Sequence, residues 1–200
     1  MRLLPAALAV ALAVALALVA GPALAHEGTG LAGGFAAGFQ HPLAGYDHLL
    51  AMVAVGLWGA ILGRPLIVAL PAIFPAMMAL GGVAGMAGLP VPPVELGIAL
   101  SVLVLGAAIA LAWRAPVWLA CVMVGAFALF HGYAHGQELP SAADPLGYSA
   151  GFVLATGLLH LAGVAVGLAA LRPRGLVALR AVGGLIAAAG VWFISGAVGA

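Results

Sequence analysis

Five short interruptions divide residues 31–198 into six apolar stretches, each about the 20 residues a helix needs to cross a lipid bilayer, or longer. The stretches are residues 31–62, 66–89, 94–113, 117–136, 146–171 and 176–198. They are separated by Gly63-Arg64-Pro65, by Pro90, Pro92 and Pro93, by Arg114-Ala115-Pro116, by the polar loop from Gln137 to Pro145, and by Arg172-Pro173-Arg174. Lipid offers no partner to backbone N–H and C=O groups, so segments of this length must satisfy them internally as helices. The pattern predicts an all-α polytopic membrane protein with six transmembrane helices, the first long enough for a broken or re-entrant start around His41-Pro42. Composition agrees: 66% of residues are hydrophobic, 6% are charged, and none is lysine. A soluble domain carries roughly a quarter charged residues. A nucleic-acid binder with a basic surface, a disordered chain and a cytosolic enzyme are thereby excluded. The single cysteine, Cys121, excludes an intrachain disulfide framework and any CxxC motif.

Residues 1–25 read as a secretory signal peptide that is cleaved. Arg2 supplies the positive start and Leu3 to Ala20 the apolar core. Gly21 and Pro22 then break the helix before the small residues of Ala23-Leu24-Ala25. The mature chain, residues 26–200, would begin at His26 on the far side of the membrane and form one six-helix transmembrane domain. Its arginines, Arg64, Arg114, Arg172, Arg174 and Arg180, follow the first, third and fifth stretches, and the other loops hold none. The positive-inside rule makes those turns cytoplasmic and places both mature termini outside, as the signal peptide independently requires. Glycines spaced by four (Gly30, Gly34 and Gly38; Gly81 and Gly85; Gly163 and Gly167) predict close helix packing.

Ionisable side chains within a membrane are costly and by default mark a functional site. Here they fall in the outer half or the middle. His41, Asp47 and His48 lie on the first span, His131, His135 and Glu138 at the outer end of the fourth, and His160 is deepest, about halfway along the fifth. His131 and His135 are four apart and share a helix face, as do His48 and Met52. Pro42 suggests a helix that begins just before Asp47 with the proline in its first turn. Imidazoles with a few carboxylates suit nickel, cobalt, copper or zinc rather than magnesium or calcium. Loading from outside needs neutral imidazoles, so uptake should weaken below about pH 6. His26 at a new N-terminus could chelate metal through amine and imidazole. Each group also has a plainer reading. His160 could make a helix–helix hydrogen bond, Asp47 could satisfy amides at a helix start, Glu138 could be a solvated loop residue, Glu95 a helix-terminus charge and Cys121 a packing residue. The clusters carry the metal reading, because several plain readings would have to coincide.

The first cluster, His41-Pro42-Leu43-Ala44-Gly45-Tyr46-Asp47-His48 followed by Met52, Val55 and Gly56, resembles the HPxxGxDHxxxMxxVG signature of the HupE/UreJ family of nickel and cobalt permeases. Phe130-His131-Gly132-Tyr133-Ala134-His135-Gly136-Gln137-Glu138 is similar to that family's second histidine-rich motif. The resemblance covers the whole chain. It implies secondary uptake of Ni²⁺ or Co²⁺ across the bacterial inner membrane, supplying hydrogenase, urease or cobalamin pathways. Carried over by position, it implies a metal path through His41, Asp47, His48, Met52, His131, His135 and Glu138; His160 is added on depth alone. The metal is cargo, and no prosthetic group is expected. Neither a Walker A sequence nor HExxH occurs, which argues against an ATPase or a zincin-like protease and for a non-enzyme. Two other functions fit parts of the pattern: an electron carrier with haem between facing histidines, and a metal-binding accessory or sensor without transport. The acids beside the histidines argue against haem, and inner loops of only a few residues argue against signalling. The expected partners are the metal ion and the bilayer, with no nucleic acid.

Overall fold

The computed structural model describes residues 31–90, 93–138 and 144–199. The signal segment 1–25 and His26 lie outside them, as does the side chain of Glu138. The described residues form seven helices: α1 (Leu31–Ala44), α2 (Tyr46–Leu62), α3 (Leu66–Met86), α4 (Val94–Ala110), α5 (Val117–Glu138), α6 (Pro145–Ala169) and α7 (Pro173–Gly199). Four of them, α3, α5, α6 and α7, are long and apolar enough to cross a membrane. The α1–α2 pair passes the same test as one span bent by 79°, and α4 is a shorter apolar helix.

The bundle is arranged inside out relative to a soluble protein. Val68, Leu80, Val83, Leu161, Val177 and Leu185 point outward, whereas His48, Ser101, His131, His135, Thr156 and His160 are buried. An apolar exterior is what lipid as solvent requires, and a helix that is hydrophobic all round has no soluble role outside a large core.

Glycine sets the helix pairing. A Cβ at Gly81 or Gly85 would overlap the carbonyls of Leu129 and Tyr133 on α5, and one at Gly132 or Gly136 those of Met78 and Gly82 on α3. The α3 and α5 backbones therefore touch directly at two glycines on each helix. Gly38 and Gly151 do the same for α1 against α6, Gly56 and Gly163 for α2 against α6, and Gly106, Gly183 and Gly190 for α4 against α7. The spacing of Gly34 and Gly38, Gly81 and Gly85, and Gly163 and Gly167 did signal such contacts; Gly30 lies outside the described residues. Lipid tails are as apolar as leucine, so close packing has to supply the association that water supplies in soluble cores.

The α2, α4 and α7 ends that lie near arginine are tied together. Trp58 Nε1 donates to the Trp113 carbonyl at 2.9 Å, and the two indoles stack at 5.9 Å. Arg180 Nε on α7 donates to the Ala110 carbonyl at 2.7 Å. At this end α4 closes with Trp113 N–H on the Ala108 carbonyl at 2.8 Å, a bond that forces Ala112 to φ +48°. The equivalent position after α3 is Gly88, at φ +65°. A Cβ in this left-handed region costs about 1 kcal/mol or more, offset in part by glycine's greater unfolded entropy. Ala112→Gly is accordingly expected to stabilise the fold by about 0.5 kcal/mol, seen as a higher thermal midpoint in detergent. A lower midpoint would count against a left-handed cap.

One local expectation is corrected. A helix does begin just before Asp47, at Tyr46, but Pro42 is not in its first turn: α1 runs through Pro42 to Ala44, and Gly45, at φ −81° and ψ 108°, makes the break. Pro42 lacks an N–H but need only leave the Gly38 carbonyl without its usual donor, which a packed membrane helix tolerates. The Gly45 N–H still closes the last turn of α1 on the His41 carbonyl at 3.1 Å.

Candidate metal site

The bend at Gly45 brings two ends of one chain segment to one place. His41 sits in the last turn of α1, and Asp47 and His48 sit in the first turn of α2. On α5, the glycine after each histidine decides direction. Gly132 and Gly136 press against α3, which turns His131 and His135 toward α2, α4 and α6.

Four imidazoles meet there. Ring centroids are 4.7 Å apart for His41 and His135, 4.8 Å for His48 and His135, and 4.8 Å for His48 and His131. His41 and His48 are 5.8 Å apart. One donor nitrogen from each of His41, His48 and His135 falls within 4.8 Å of the other two. Imidazole nitrogens bound at about 2.0–2.1 Å to one ion lie roughly 3–4 Å from each other. Closing the three rings onto an ion therefore needs about an ångström of movement, within reach of small side-chain rotations.

Asp47 is placed differently from the three. Its Oδ1 accepts from His48 Nδ1 at 2.7 Å and from the His48 backbone N–H at 2.7 Å. With Nδ1–H held by the carboxylate, His48 Nε2 carries the lone pair, and that atom is buried without a hydrogen bond. A carboxylate that orients a histidine and raises its basicity is the usual outer partner of a metal-binding imidazole. Asp47 also lines a cavity of about 290 Å³ with Glu95, Ala99, Phe193, Gly196 and Ala197. A second cavity, of about 190 Å³ between α3, α5 and α6, is lined by Met78, His135, Tyr148 and Phe152, among others.

Aromatic rings wall the site. Phe152 stacks obliquely 4.2 Å from His135 and 6.0 Å from His41, and Tyr148 is 5.9 Å from His41. Phe74 stands between His131, at 5.5 Å, and His160, at 5.2 Å. His160 is thus outside the group of four. It faces the carbonyl of Pro71 without completing a hydrogen bond to it. That carbonyl is available because Pro75, four residues on, has no N–H to fill it. Met52 is fully buried in the bundle core one turn after His48. Glu138 closes α5, three residues past His135.

Of the residues singled out in the sequence, the structure gathers His41, His48, His131 and His135, with Asp47 behind His48. Ser101, Phe74, Phe152 and Tyr148 complete the surroundings, and no sequence pattern marks them. They are ordinary apolar-helix residues in sequence, and only the packing of α3, α4 and α6 brings them here.

A bundle of long apolar helices around a buried imidazole cluster defines the class: a polytopic membrane protein. The family model described as HupE / UreJ protein matches residues 14–193. Protein HupE of Rhizobium leguminosarum bv. viciae is 45% identical over 183 residues, 90% of this chain and 95% of that protein. No solved structure matches. The chain belongs to the HupE/UreJ family.

Proposed function

We propose that this chain is a secondary transporter that takes up Ni²⁺, or Co²⁺, across the bacterial inner membrane. The ion is loaded from the outside onto His41, His48 and His135, with Asp47 orienting His48 and with His131, Met52, Glu138 and, more deeply, His160 along its way. His26 at the start of the mature chain would offer a first contact. One observation carries this reading: three imidazoles from three helices converge, His48 and His135 buried and His41 half-buried, with the buried His131 beside them, in a bundle of apolar helices. Burying them without a use would be costly in lipid. Imidazole selects first-row transition metals over magnesium and calcium, which agrees with the HupE/UreJ motif.

In this reading the bent α1–α2 pair is one span and α4, at 17 residues, is another, giving six. Seventeen residues rise about 26 Å, within the range that bilayers accommodate by local thinning. The arginine-bearing turns face the cytoplasm, and the signal peptide is removed.

Purified protein in proteoliposomes tests the reading, with Ni²⁺, Co²⁺ and Zn²⁺ in competition and with or without a proton gradient. Ni²⁺ or Co²⁺ is expected to accumulate inside the vesicles. Tight binding in detergent with no flux in vesicles would overturn transport and favour a metal-binding accessory or sensor.

A further inference from the structure

His131 is fully buried, and its surroundings determine which of its nitrogens carries hydrogen. Ser101 Oγ lies 2.6 Å from the carbonyl of Ile98 and 3.0 Å from His131 Nε2. A hydroxyl has one hydrogen to give, and a carbonyl can only accept. The shorter contact therefore takes the Ser101 proton, and the serine oxygen is left to accept from His131. Nε2 must carry the ring's hydrogen, so in the neutral ring Nδ1 carries the lone pair. His131 Nδ1 is buried and has no hydrogen bond, and the His48 ring stands nearly perpendicular to it, 4.8 Å away. His48 is held in the opposite tautomer by Asp47, with Nε2 free. Two outer partners, a carboxylate and a hydroxyl, thus fix two neighbouring rings so that each keeps one unused donor atom.

We propose that Ser101 is a positioning residue that holds His131 as its Nε2–H tautomer, so that Nδ1 offers its lone pair to a divalent transition-metal ion as the donor next to His48. His131 is one helical turn, about 6 Å, from His135 along α5, on the side away from the outer end of the helix. It is thereby the next donor inward from the His41, His48 and His135 set. His48 would be shared between the outer set and this inner position. The inference rests on the metal reading of the site, yet its first test needs no metal.

The test uses the full-length protein in detergent with ¹⁵N-labelled histidine, the His131 signals being assigned by their loss in His131→Asn. In the metal-free wild type, His131 is expected as the Nε2–H tautomer. Finding Nδ1–H there would overturn the proposal whatever the variants do. In Ser101→Ala the fixed tautomer should be lost, and in Ser101→Thr it should be kept. Ni²⁺ titration should then show Ser101→Ala binding about 10- to 100-fold more weakly, the usual effect of losing an outer partner of a metal ligand, with Ser101→Thr near the wild type. Unchanged tautomer or unchanged affinity in folded Ser101→Ala would sink the proposal while leaving the outer site intact. A wild type that binds no Ni²⁺ would instead sink the metal reading, with the tautomer still decided by the spectrum.

Discussion

Replacing His48 by alanine is expected to reduce metal uptake to background while leaving the protein folded. His48 is the imidazole that meets all of the others: its ring lies against His41, His131 and His135. Its free Nε2 is the atom that Asp47 prepares. Without it, His41 and His135 face each other as a pair, which holds a divalent ion far more weakly than three donors. Losing an orienting partner alone costs about 10- to 100-fold in affinity, so losing the ligand should exceed that range. Asp47→Asn keeps the shape but weakens the hold on the His48 ring, and should fall within it. Nickel accumulation in proteoliposomes, with folding checked by thermal midpoint, separates the cases. Normal uptake by a folded His48→Ala protein would remove the proposed site.

The second large effect is expected at Gly132, where even Gly132→Ala should disrupt the bundle. A Cβ there would occupy the position of the Met78 carbonyl on α3. Backbone cannot rotate away as a side chain can, so α3 and α5 must separate along the whole stripe that includes Gly136 against Gly82. Overpacking of ordinary cores costs about 1–3 kcal/mol, and a backbone clash belongs at or above the upper end. Gly157→Ala supplies the contrast, because a Cβ at Gly157 meets nothing within 4 Å. A marked drop in thermal midpoint is expected for the first and almost none for the second. Equal midpoints would show that the close α3–α5 approach does not hold the bundle together. Displacing α5 also moves His131 and His135, so a partly folded Gly132→Ala protein should bind Ni²⁺ poorly.

Much of the architecture was legible because lipid leaves so few options. Helix length, the proline and arginine breaks and the four-residue glycine spacing all follow from having no water to hydrogen-bond, and each reappears in the structure. Pro42 misled because a proline within a helix and one at its start look alike in sequence, and only the backbone angles at Gly45 place the break. The histidine motifs pointed to a shared site. Sequence could place His131 and His135 on one face, yet could not show that Gly132 and Gly136 turn that face toward α2. Ser101 was out of reach altogether. It is 30 residues from His131, and a serine in an apolar helix most often bonds only to its own backbone. His160 shared the depth of a ligand, but Phe74 stands between it and His131.

The break at Gly45 also has an electrical consequence. A helix that stops leaves its last carbonyls without partners, and the aligned peptide dipoles give that end roughly half a negative charge. The end in question is that of α1, and His41 lies in its final turn. The same break starts α2, so its positive pole lies beside Asp47 while the negative pole of α1 lies beside His41. A histidine faces the negative pole and a carboxylate the positive one, a side-by-side pairing built from backbone that no side-chain substitution would remove. Only a change that let α1 and α2 run on as one continuous helix would abolish it.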